Sequence, residues 1–150
     1  MAADAVYDAI KTHLRTAANV AVLADPTTGA VPAFRFENEP FEKPDPLVPW
    51  IDAALSGVVY GQESIGAATQ ATNRWDEKGE LWLSVFVEVG TGGSRARQIA
   101  KLLADIFRGL TLLGGHLEFM DAFIGGSGPA PEEGNWYELA LAIEWRYVEA

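Results

Sequence analysis

Residues 73–109, "NRWDEKGELWLSVFVEVGTGGSRARQIAKLLADIFRG", pass from a charged cluster through an apolar strand and a glycine-rich loop into a helix. Within 80–89 the residues alternate. Leu81, Leu83, Val85, Val87 and Val89 fall on one side, and Glu80, Trp82, Ser84, Phe86 and Glu88 on the other. A period of two with one apolar side describes a sheet that packs one face against a core. After "GTGG" (90–93), with Ser94 placed as the N-cap, Ile99, Leu102, Leu103, Ile106, Phe107 and Leu110 recur at helical spacing and form a buried stripe.

Strand, glycine loop and helix in that order also describe a phosphate cradle. A dinucleotide fingerprint needs glycine at the first, third and sixth positions. Gly90 and Gly92 fit, but Arg95 holds the sixth. A nucleotide-triphosphate loop ends Gly-Lys-Ser/Thr, whereas this one ends Gly-Gly-Ser-Arg. The preceding strand is one-sided, unlike the doubly buried first strand of a dinucleotide fold. The loop therefore reads as a strand-to-helix turn.

Upstream, 3–18 reads as an amphipathic helix with Val6, Ile10, Leu14 and Ala17 on one face. "DPTTGAVP" (25–32) is a turn cluster and "AFRFENEPF" (33–41) is extended. "EKPDPLVP" (42–49) has three prolines and reads as a connector or edge segment. "WIDAAL" (50–55) reads as a strand, while 56–79 is small-residue-rich and poorly periodic. Asp76-Glu77-Lys78-Gly79 reads as a hairpin turn, which would pair 66–75 with 80–89. Downstream, "GGHLEFMDAFI" and "NWYELALAIEWRYV" read as strands around the loop "GGSGPAPEEGN". In the last strand Tyr137, Leu139, Leu141, Ile143, Trp145 and Tyr147 share a face. The order of helix, strands, helix, strands predicts one α+β domain over 1–150, with a mostly antiparallel sheet and flanking helices.

Composition narrows the function classes. The 150 residues contain no cysteine, which excludes disulfides, Cys-ligated metals and thiol nucleophiles. No apolar run approaches the ~20 residues that span a bilayer, and the acid-bearing N-terminus lacks the order of a secretory signal. The net charge is −10, and the one basic segment is 94–110. An acidic chain does not wrap nucleic-acid phosphates, although it suits a passage that DNA slides through.

No catalytic constellation emerges. His13 and His116 have no partner in the pattern, and structural roles are favoured. His116-Leu117-Glu118 matches half of a zinc-deaminase signature, but the cysteine half is absent. "GGSGP" (125–129) fails as a nucleophile elbow because Pro129 replaces the last glycine. No carboxylate pair has the spacing of a dyad or a calcium loop. No catalysis, cofactor or metal is therefore expected. Instead, Arg95, Arg97, Lys101 and Arg108 are candidate contacts to an acidic neighbour, set against the ordinary reading of a solvated helix face. Trp82 and Phe86, beside Glu80 and Glu88, put aromatics on the polar face of the best strand and suit a subunit contact.

The segment "GQESIGAATQATNRWDEKGELWLSVFVEVGTGGSRARQIAKLLADIFRG" resembles the tail terminator-like proteins of long-tailed bacteriophages and of phage-like gene transfer agents. The shared pattern is a glycine-rich approach, an arginine-containing turn, a strand ending "VGTG", and a helix with small and basic residues at its start. "VPAFRFENEPFEKPDP" resembles the extended segment after the family's first helix, so the resemblance covers about residues 1–110. It implies a ring-forming subunit, usually hexameric, that caps the tail tube, stops its growth and meets head-completion or connector proteins. Its partners would be other copies of itself, the tube protein and the connector, with DNA only in transit and no membrane. It would be assembled in the bacterial cytoplasm and reside at the head-proximal end of the tail. Two other readings are another ring-forming head–tail connector, and a small ligand-binding or enzymatic α+β domain using 56–79 and "GTGG".

Overall fold

In the computed structural model, residues 2–26, 28–42, 48–62, 75–90, 92–130 and 136–148 are described. Two helices open the chain, α1 (Ala2–Leu14) and α2 (Ala17–Leu23), followed by strands β1 (Ala33–Phe36), β2 (Trp50–Gln62) and β3 (Trp75–Glu88). Helix α3 (Ser94–Phe107), the two-residue β4 (Thr111–Leu112), β5 (Leu117–Ala130) and β6 (Trp136–Val148) complete it. The strands form a single mixed sheet in the order β1-β2-β3-β6-β5-β4, curled into a half-barrel. The β1–β2 pair is parallel and the other pairs are antiparallel. The expected α+β class with a mostly antiparallel sheet is what the chain adopts.

The central ladder follows from alternation. Leu81, Leu83, Val85 and Val87 of β3 and Leu139, Leu141, Ile143 and Trp145 of β6 are buried on one face. Onto that face pack Ala96, Ile99, Ala100, Leu103 and Phe107 of α3 and Val6, Ile10 and Leu14 of α1. The opposite face carries a smaller cluster at one end, where Trp50 stacks on Phe86 at 4.0 Å and meets Trp136 edge-on at 5.9 Å. Phe41 tilts against Trp50, and the Arg35 guanidinium lies 4.7 Å from the Trp50 ring centre.

Several expectations need correction. The first helix stops at Leu14, and Thr16 starts a second helix that buries Leu23. The Thr16 hydroxyl donates to the His13 carbonyl, ending one helix as the next begins. Asp76-Glu77-Lys78-Gly79 is not a turn but part of the start of β3: Asp76–Lys78 pair with Val59–Gly61 of β2, and Asp76–Gly79 with Trp145–Val148 of β6. Asp76 is buried because Arg146 of β6 binds its carboxylate, through Nε at 2.8 Å. Gly79 pairs with buried Trp145 across the ladder.

The partner of β3 is thus β2, running to Gln62, and the supposed pairing segment 66–75 lies almost wholly outside the described residues. Gly93, rather than Ser94, is the N-cap of α3, and it gives no side-chain cap bond. Strand β5 runs through 125–130, which the pattern assigned to a loop. Val89 follows the end of β3 and is exposed instead of joining the core face.

Candidate functional site

The α3 cations are mostly engaged within the chain. Arg95 turns back onto the α2 end, donating to the Leu23 carbonyl (3.1 Å) and to Gln98 (2.9 Å), with Asp25 3.6 Å away. The turn at 25–30 that presents Asp25 is closed by two backbone bonds of 2.8 Å, Asp25 N–H to Ala30 and Gly29 N–H to Asp25. Arg95 is therefore a tether between helices and no longer a candidate for an external contact. Lys101 pairs with Asp105 one helical turn on (2.6 Å), and Arg108 approaches the same carboxylate (3.5 Å). The Lys101 hydrogen bond is the main reason the Asp105 carboxyl is held below its ordinary value. Arg97 is exposed and has no ion pair among the described residues.

The aromatic pair divides. Phe86 is buried between Trp50 and the sheet, so it is core rather than surface. Trp82 stays 37% exposed. Glu88 is exposed at the end of β3, close to neither Trp82 nor Glu80 along the strand.

What does assemble a surface is the end of the sheet that Trp82 shares with β5. A groove of about 810 Å³ is lined there by Glu80, Trp82, Glu144 and Phe123, with Lys101 and Arg108 beyond them. Since α3 covers the other face of the sheet, a groove touching both must turn around the outer edge of β5. Beyond Phe119, no described strand pairs with that edge. Phe123 is 69% exposed, and Met120, Ile124 and Trp82 also line the groove as exposed apolar side chains. Contiguous exposed apolar side chains beside an open strand edge are features of a contact surface. Sequence reading placed Trp82 and Glu80 here but missed Phe123 and Met120. They alternate poorly because β5 carries two bulges, between Phe119 and Ala122 and between Ile124 and Ser127.

Of the "GTGG" loop, Thr91 lies outside the described residues. Gly90 and Gly92 have φ of 90° and 87°, conformations suited to glycine, and they serve the reversal from β3 into α3. Among the described residues no group of three or more His, Asp or Glu side chains is placed to hold a metal ion. No described helix is long and apolar enough to cross a membrane.

No family model matches the chain, and no curated protein does. A solved structure of a protein without a descriptive name is similar over 100% of this chain and 97% of that one. Its TM-score is 0.65 and its identity 19%, a likeness that shows the fold alone.

Proposed function

We propose that this chain is a structural subunit of a phage-like tail, forming a ring, usually of six copies, that caps the tail tube. The ring stops tube elongation, presents a surface to head-completion or connector proteins, and lets DNA pass through its lumen. The observation that carries this reading is the apolar groove at the open β5 edge, in which Phe123, Met120, Ile124 and Trp82 stand exposed. A chain of 150 residues that leaves four large apolar side chains uncovered in one place loses burial energy unless a partner covers them. The resemblance of about residues 1–110 to tail terminator-like proteins supplies the class of partner. Self-assembly would use Arg97, the exposed α3 cation, against an acidic face of the next copy.

The test is assembly. Particles made without the protein are expected to carry tails of uncontrolled length and no joined heads, as counted by electron microscopy. Added wild-type protein restores both, and Arg97→Glu folds but restores neither. Normal tails in its absence would sink the proposal.

A further inference from the structure

On the face of the sheet away from α3, two rows of side chains cross β3, β6 and β5. Trp82 stands opposite Ala142, and Ala142 opposite Phe123, which makes an apolar row. One step along, Glu80 stands directly opposite Glu144. The bulge between Phe119 and Ala122 adds Asp121 to the same groove. Like charges directly opposite one another across a ladder destabilise a sheet. Among the described residues no cation pairs with Glu80, Glu144 or Asp121, since Lys101 and Arg108 across the groove are held by Asp105. Among the described residues, then, a carboxylate pair without a counter-charge lies beside an apolar row without a cover.

Three occupants compete for this face. A metal ion is disfavoured, because no described acidic group is close enough in threes to hold one. A second copy is disfavoured by charge. The chain carries −10, and its described lysines and arginines other than Arg97 already have intrachain interactions. A second copy would therefore bring mainly negative charge to a negative rim.

We infer that this face seats a segment of a different protein, rich in both apolar and basic side chains. Its apolar side chains cover Trp82 and Phe123, and a lysine or arginine enters between Glu80 and Glu144. The uncovered backbone edge of β5 beside Phe123 offers hydrogen bonds to an extended segment. The inference rests on the assembly reading only in taking the occupant to be a protein. Its test uses the isolated subunit, so a ring that fails to form does not decide it.

The probe is a synthetic ten-residue peptide alternating valine and lysine, with a twin in which glutamate replaces each lysine. Fluorescence anisotropy is read against the full-length protein at low and at physiological salt. The lysine peptide is expected to bind at least tenfold more tightly than its twin and to weaken as salt rises. Glu144→Lys and Phe123→Ser should each weaken binding tenfold or more. Neither should lower the melting temperature, because one removes a like-charge pair and the other truncates an exposed side chain. Equal affinity for the two peptides, no binding of either at millimolar concentration, or indifference to both substitutions overturns the inference. Concentration-dependent self-association of the wild type that Phe123→Ser abolishes would assign the face to a second copy and overturn it as well.

Discussion

Arg95 and Arg97 are two residues apart on one helix and differ in what surrounds them. Arg95 is 18% exposed in its side chain and binds a carbonyl, an amide and a nearby carboxylate, while Arg97 points to solvent. Removing Arg95 leaves the Leu23 carbonyl without its donor, so Arg95→Ala is expected to cost about 1–2 kcal/mol. Arg97→Ala should stay within about 0.5 kcal/mol, the range of a surface change away from such partners. Equal losses in urea titrations would contradict this assignment. Glu39 offers a second test. Its carboxyl is held below its ordinary value first by the Lys11 hydrogen bond, against desolvation, with the charges of Lys11 and Arg15 adding to it. A carboxyl lowered in the folded state contributes stability above its unfolded pKa and loses it as pH falls through the lowered folded value. An NMR titration should find Glu39 below the ordinary glutamate range, and Lys11→Met should return it upward; an unmoved midpoint refutes the pairing.

Among the elements, α3 was legible because its stripe repeats at helical spacing from Ile99 to Phe107; Leu110, which the stripe also included, lies beyond the helix end. Of the residues the stripe named, Ile99, Leu103 and Phe107 are buried and Leu102 and Ile106 are half-buried, while Ala96, Ala100 and Ala104 are buried without having been named. Leu103 is fully buried, and Leu103→Ala should cost about 2–5 kcal/mol in the same urea titrations. A loss below 1 kcal/mol would mean that the helix is not anchored where the structure has it. The inward faces of β3 and β6 were legible for the same reason, a strict period of two. Less legible was anything fixed by a distant partner. Asp76 and Gly79 have turn chemistry locally, but Arg146 and Trp145 in a strand far along the chain make them strand. The β5 surface was hidden by its bulges, which shift the alternation twice. Phe86 looked like an exposed aromatic because Trp50, its stacking partner, lies in another strand. Local pattern thus revealed the core, and non-local pairing set the edges where the candidate site lies.

At the scale of the whole molecule, one face of the sheet is closed by α1 and α3, while the other is only partly closed. The cluster of Trp50, Phe86 and Trp136 seals one end of that second face, and the end bearing Trp82 and Phe123 remains open. We read an acidic chain with one closed face and one half-covered face as one that neighbours complete. Under the proposed function, those neighbours are the other copies of a ring and the tail tube. The most direct measurement is the mass of the purified protein in solution, by light scattering across concentration and salt, alone and with tail tubes. The account predicts the mass of a ring, or a monomer that becomes a ring only when tubes are present. A monomer that never assembles under either condition would contradict it.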